Sequence, residues 1–579
     1  MKTKFEKIKT LLATGITAAL VSCTPGKNSQ KEMNALPLAF LANGEKTYSE
    51  SNYQGEVLAE VSMGPGTSVS PSELTTTTPA ELLGNFSSNI ADGATDVVVN
   101  QAVQVTLANG FQATSTGSGN SYIVDSQGTV LYSRISIDGN TLTLIPQIRL
   151  QPGKSYTAII GGVQAADGTS YGDIKISYTN ADLDYGLYWY GKFGLCEKYI
   201  PGIENAFYSP EQKTVVFAHG WQAGSVTSED VYGRVGYKYE MFYMQEDNFG
   251  GASGYNGLEK WTNHAWIDDA WNTGIVYWNQ FADEPSTNDG NFLGVQAAEA
   301  KIWNLQDGPN GPRYRVLLEG GNAEYRNWDG KLIFKGQQVQ VASIGQLLSL
   351  YVVDALQANT SGNIRLVGHS LGNQVATYLA GEVDKAGIAI NRISLLDPAW
   401  TGGEKNYLPI VSSTDTNVTL NHNGAKALDS SSQGSHFWVS EYARVILFKV
   451  MNSQWSRGIA VDRYNSTLLN ASMPIMTPNR ELSEQIAVTD VMPWYYGSTQ
   501  IGQKHVVIRH HYFWTMEVAA PIECTVRFWR RSKTGDVAIS AATSESRIRE
   551  MMLDDYYRAQ VEGRNTPDPA DDWFEKKRK

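Results

Sequence analysis

The sequence predicts an α/β chain, a mostly parallel central sheet covered by helices on both faces and preceded by an all-β sandwich. Three observations predict it. At 579 residues the chain is too long for one hydrophobic core. From about 85 to 180, short alternating stretches are broken by turn dipeptides. From about 185 to 520, compact apolar runs of strand length alternate with segments of helical spacing.

Apolar residues at 42% and charged residues at 18% give the balance of a globular chain, not a disordered one. A net charge of −12 argues against a nucleic-acid partner, because phosphate binding needs a concentrated basic surface. Basic clusters are confined to the first nine residues and to Lys576 through Lys579, and the latter read as a solvated tail.

Lys2, Lys4, Lys7 and Lys9 precede the apolar run Leu11 to Val21, the pattern of a targeting signal too short to anchor in a bilayer. The run ends in Leu20-Val21-Ser22-Cys23, which resembles the lipobox of bacterial lipoproteins. That resemblance implies removal of residues 1–22, acylation of Cys23 and membrane attachment through it. Thr24 in place of Asp implies the outer membrane, hence a bacterial cell-envelope location, periplasmic or surface-exposed. An ordinary cleavable signal with Cys23 incidental is the alternative. Residues 23–84, rich in Ser, Thr, Asn, Gly and Pro, read as a flexible tether.

In the sandwich region, Val97-Val98-Val99, Val103 to Leu107 and Leu142 to Ile145 are separated by Asp92-Gly93, Asp138-Gly139-Asn140 and Asp167-Gly168. The string Asp92 to Asn100, followed by Leu150 to Thr157, resembles bacterial Ig-like domains. No Cys–Trp–Cys framework and no titratable cluster is present, so a spacer or recognition role is expected for residues 85–180.

Farther on, Lys213 to Ala218, Gly274 to Trp278, Asn363 to Val367 and Arg392 to Leu396 read as strands. Val339 to Leu356 and Gln374 to Val383 read as helices. Strands alternating with helices imply a parallel sheet. Residues 521–579 read as one helix, Glu545 to Val561, followed by a Pro- and charge-rich end without structure.

Gly368-His369-Ser370-Leu371-Gly372 carries the chemistry. A serine hydroxyl attacks only when a base takes its proton and the site stabilises the resulting oxyanion. Ser370 lies between a strand and a helix with small residues on either side, which is what a sharp turn lifting the nucleophile off a sheet requires. Asp397, in Leu395-Leu396-Asp397-Pro398-Ala399, ends the next strand and suits the acid that orients the base. Five His follow it. His422 and His436 lie in polar loop; His505 ends a loop containing Gly497 and Gly502; His510 and His511 are embedded in the element behind. His505 is the preferred base, with His510 and His511 as alternatives. Backbone N–H groups of Leu371 and of Trp221, in the loop His219-Gly220-Trp221, suit the oxyanion hole. His219 precedes Ser370 and reads as a loop-organising residue.

Phe217-Ala218-His219-Gly220-Trp221, Gly368 to Gly372 and Leu396-Asp397-Pro398-Ala399 together resemble the pancreatic-lipase-like branch of the α/β-hydrolases. There the His-Gly-aromatic string marks the oxyanion strand and Leu-Asp-Pro-Ala carries the acid. In that family the His is followed seven residues later by an aromatic, as Tyr512 follows His505 here. The resemblance covers roughly 185–520 and implies a serine carboxylester hydrolase, of lipase or phospholipase type, acting on a lipid or other ester. The vertebrate disulfide set is missing. About 281 to 336 looks like an insertion, and Met473 to Met476 with Val491 to Tyr496 occupy the place of a lid. Competing readings are a surface adhesin or scaffold with a non-catalytic hydrolase fold, and a related thioesterase or acyltransferase. The scheme needs no cofactor and no metal cluster is evident. With Cys23 acylated, Cys196 and Cys524 bracket the unit, as either a bridge or two unpaired thiols.

Overall fold

The computed structural model describes residues 86–579 except 112–120, 229–241, 247–257, 286–292, 403–404, 409–437, 467–479 and 528–529. Cys23, the 23–84 tether, His422, His436 and Met473 to Met476 lie outside the described residues.

Residues 86–180 form two facing sheets. One contains, in spatial order, Phe86–Ser88, Val103–Leu107, Thr141–Pro146 and Ser133–Asp138. The other contains Ala94–Val97, Ser170–Asn180, Ser155–Gln164, Ser121–Asp125 and Val130–Leu131. The alternation legible in the sequence places Val103, Val105, Leu142, Leu144, Ile160, Ile174 and Ile176 in one buried layer between the sheets.

A single sheet of 12 strands organises the rest. In chain order these are β1 (Gly186–Tyr190), β2 (Cys196–Lys198), β3 (Lys213–Ala218), β4 (Trp271–Tyr277), β5 (Ile364–His369), β6 (Arg392–Leu396), β7 (Ala460–Asn465), β8 (Ala487–Asp490), β9 (Ile522–Arg527), β10 (Arg530–Val537), β11 (Tyr556–Glu562) and β12 (Trp573–Arg578). Their spatial order is β2-β1-β4-β3-β5-β6-β7-β8-β11-β12-β9-β10. From β4 through β11 every neighbouring pair is parallel. The principal helices are α1 (Leu293–Trp303), α2 (Ile344–Gln357), α3 (Gly372–Lys385), α4 (Val439–Gln454), α5 (Ile501–Trp514) and α6 (Glu545–Met552). Helices α2, α3 and α4 pack side by side on one face. On the other face, Tyr512 of α5 meets Ser394 at 3.0 Å, and Arg365 donates to Ala541 O at 2.7 Å in the segment before α6.

The chain turns to opposite sides of β3, running to β4 and later returning to β5 on the far side. In an open parallel sheet, a crevice opens outside the strand C-termini at such a reversal. Here it lies between the ends of β3 and β5, so residues 219–221 and 370–371 meet there.

One expectation is corrected, and two open points gain structure. The C-terminal segment is not a helix and a loose tail: α6 stops at Met552, and β9 to β12 extend the sheet, burying Cys524, Ile539, Met551 and Phe574. Cys196 and Cys524 are both buried, and they stand on β2 and β9, toward opposite ends of the sheet. Ten strand spacings of about 4.8 Å, roughly 48 Å along the sheet, lie between them, which no disulfide spans. The sandwich is also packed against the larger unit. Arg134 pairs with Glu197 at 2.8 Å, Arg149 with Asp184 at 2.9 Å, and the Arg149 guanidinium lies 3.6 Å from the Tyr277 ring centroid. These pairs are buried, so the sandwich is docked against β1, β2 and β4.

Candidate active site

The crevice is built by steric demands local to the sequence. Ser370 has φ 58°, a left-handed conformation that a non-glycine residue holds only where its surroundings enforce it. Ser370 N donates to Leu396 O at 3.1 Å, and Asn373 Nδ2 donates to both Ser370 O and Leu396 O at 2.9 Å, fastening the turn to the end of β6. A Cβ on Gly368 would stand 2.5 Å from Asn373 Cα, and one on Gly372 2.0 Å from Ala218 O. Both flanking positions therefore have room only for glycine. A Cβ on Gly220 would lie 2.6 Å from Ser370 Cβ and 3.1 Å from Leu371 N, so the 219–221 loop abuts the serine turn.

Asp397 follows β6 and has φ 39°. Its Oδ2 accepts from His505 Nδ1 at 2.7 Å and from Ser466 Oγ at 2.9 Å, and its Oδ1 accepts from Ser466 N at 3.4 Å. The Nδ1–H bond fixes the His505 tautomer and leaves Nε2 as the acceptor nitrogen. That Nε2 is buried with no hydrogen-bond partner among the described residues, Ser370 Oγ included. The His505 ring sits 4.6 Å from that of His369, which donates Nε2–H to His505 O at 2.8 Å. The residue next to Ser370 is thus in contact with the imidazole.

His505 does not end a loop, as the sequence suggests; it lies in the second turn of α5. His511 pairs elsewhere, its Nε2 2.7 Å from Asp572 Oδ2, and burial holds His510 neutral, well below the ordinary histidine range. Neither reaches Asp397 by a hydrogen bond. His219 organises its loop: Nδ1 meets Gly220 O at 3.0 Å, Nε2 accepts from Trp278 N at 3.3 Å, and the ring stacks on Trp278. Burial pushes it down to about 3, so it is neutral at pH 7. The Trp221 indole donates to Glu284 O at 2.8 Å. In the expected lid position, Trp494 is 55% exposed while Val491, Tyr495 and Tyr496 are buried.

Ser466 and Asn373 escaped the sequence reading. Ser466 follows β7 directly, and a hydroxyl at the C-terminal end of the strand beside β6 is the one signal that would have found it. Among the described residues no group of three or more His, Cys, Asp or Glu is placed to hold a metal ion, and no helix is long and apolar enough to cross a membrane.

Residues 76–180 match the family of bacterial Ig-like domains, starting slightly before the boundary read at about 85. No curated protein matches the chain. Among solved structures, the N-terminal part of a bacterial S-layer protein is 17% identical over 19% of this chain, with TM-score 0.15. The chain spans 27% of that structure's length. A poly(3-hydroxybutyrate) depolymerase from Bordetella parapertussis is 11% identical, over 52% of this chain and 69% of its own, with TM-score 0.20. A thioesterase domain from the curacin biosynthetic pathway is 11% identical, over 49% and 82%, with TM-score 0.16. Likeness at these scores establishes neither fold nor activity.

Proposed function

We propose that the chain is a serine carboxylester hydrolase of α/β-hydrolase fold, with Ser370 as nucleophile, His505 as base and Asp397 as the acid that orients it. One observation carries the reading. Asp397 holds His505 by Nδ1 and leaves Nε2 buried without a partner among the described residues, while the His505 ring contacts His369, the residue before a serine in a forced left-handed turn between strand and helix. In this scheme Nε2 takes the Ser370 hydroxyl proton as Oγ adds to the ester carbonyl carbon. The N–H groups of Leu371 and Trp221 stabilise the oxyanion. Collapse expels the alcohol with that proton, and water activated by His505 then releases the acid from the acyl-enzyme.

The family resemblance of the motifs favours an acylglycerol or phospholipid ester, and attachment to the outer membrane through an acylated Cys23. Hydrolysis of p-nitrophenyl esters by the mature protein should vanish in Ser370→Ala, and a fluorophosphonate probe should label the wild type alone. Equal activity in both proteins sinks the assignment, and an unlabelled wild type favours the adhesin reading. Radiolabelled palmitate should enter the wild type and not Cys23→Ser.

A further inference from the structure

The region between β4 and α2 that reads as an insertion builds a clamp on the loop following β3. Its two hairpins are Arg313–Leu317 paired with Ala323–Asn327, and Lys331–Phe334 paired with Gln337–Gln340. The first reaches Asp283 and Glu284, just beyond β4. Asp283 is wholly buried, and its carboxylate accepts Gly224 N at 2.6 Å on one oxygen and Val226 N at 2.9 Å on the other. Arg315 donates to the first of these oxygens at 2.9 Å. Backbone contacts complete the grip: Gln222 N donates to Ala282 O at 3.1 Å, and the Trp221 indole to Glu284 O at 2.8 Å. Every residue from Trp221 to Val226 that makes these bonds is therefore held by the 282–284 segment.

The segment is itself over-determined. Glu284 accepts Lys301 at 2.6 Å and Arg313 at 2.9 Å, and Tyr325 donates to Asp283 O at 2.9 Å. A carboxylate buried with two amide N–H groups and no cation would be strongly unfavourable, since desolvation disfavours its charge. Arg315 supplies the cation. Asp283 stands above the ordinary carboxylate range through burial, with Arg315 the strongest influence opposing that rise.

We propose that Arg315 is a positioning residue for ester hydrolysis: by neutralising Asp283 it fixes the 221–226 loop and so the Trp221 N–H that the hydrolase reading assigns to the oxyanion hole. The inference rests on the hydrolase reading given above. Without Arg315, Asp283 is driven toward its protonated form and becomes a weaker acceptor for the two N–H groups. A donor displaced by about an ångström loses much of its worth to the transition state and little of its worth to ground-state binding.

Arg315→Gln and Arg315→Lys test this in the full chain. Arg315 is 22% exposed, and Arg315→Lys keeps a cation on Asp283, so it separates loss of positioning from loss of folding. For Arg315→Gln we expect kcat on p-nitrophenyl butyrate to fall about 10- to 100-fold with KM near wild type, and Arg315→Lys to restore part of it. Amide hydrogen exchange should rise in 219–228 and stay unchanged in β5. An active wild type with unaltered kcat or unaltered loop exchange in Arg315→Gln overturns this inference alone. A wild type no more active than Ser370→Ala overturns the hydrolase reading and this inference with it.

Discussion

His505 donates to Asp397 across 2.7 Å from inside a helix, while Asp397 itself is held at φ 39° just past the end of its strand. The pair is thus fixed from two regular elements, and Ser466 closes the carboxylate from a third. Asp397→Asn should present its amide to His505 and favour the wrong tautomer, lowering kcat by roughly 10³- to 10⁴-fold. Ser466→Ala, which removes one of the donors, should lower it by about tenfold. Steady-state ester hydrolysis checks both, and an unchanged Asp397→Asn would detach the pair from catalysis.

Gly372 touches the neighbouring strand. Its missing Cβ would sit 2.0 Å from Ala218 O and 2.7 Å from His219 C, both backbone atoms that cannot swing aside. Gly372→Ala should destabilise by about 3 kcal/mol or more, as overpacking does when only backbone can yield. Urea denaturation against wild type gives the number; a loss under about 0.5 kcal/mol contradicts the packing.

Arg392 and Asp462 form a fully buried pair beneath the site, and Arg392 also donates to Ser540 O at 2.8 Å and Thr543 O at 2.9 Å. The segment after 520 is therefore tied into the core. Arg392→Leu strands Asp462 as an uncompensated buried charge and should lose about 3–5 kcal/mol. A chain ending at residue 520 should fail to give a cooperative thermal transition, whereas a dispensable tail would leave the melting curve in place.

Because Cys196 and Cys524 stand at opposite ends of the sheet, reductant has no bond to break between them. Melting temperatures with and without dithiothreitol should coincide. A drop of several degrees on reduction would require the two strands to be neighbours.

Three buried histidines set an acid limit. Desolvation holds His219 down to about 3 and holds His369 and His510 well below the ordinary value. Each folded-state pKa is lower than its unfolded value of about 6.5, so the unfolded chain binds more protons as pH falls. The stability they contribute is complete above about pH 6.5 and drains away toward the folded values, with a slope approaching about 4 kcal/mol per pH unit from these three groups. Urea midpoints at pH 7.5, 6.0 and 5.0 should fall in that order; flat midpoints contradict it.

What the sequence disclosed was what short-range sterics determine. The turn at Ser370 and the strand-end Asp397 are local events, legible from a few neighbouring residues. The element carrying His505 was misread because α5 is buried on nearly every side, so no polar stripe marks its period. Strands β10 and β12 were missed for the opposite reason. Arg530–Val537, at the sheet edge, and Trp573–Arg578, paired on both sides, are both densely charged, and such strands resemble solvated tail. The cysteine question depended on strand order, which spacing along a chain does not encode. Asp283 and Arg315 lie 32 residues apart on either side of helix α1, and nothing local announces their meeting.

The contact of Arg149 with Tyr277 bears on how the crevice is aimed. A sandwich joined by a bare linker would let the larger unit swivel. Here a guanidinium from the smaller unit is lodged against an aromatic ring in the main sheet, at 3.6 Å, with Asp184 beneath it. The sandwich therefore acts as a stiff bracket, and the mouth of the crevice keeps one bearing relative to it.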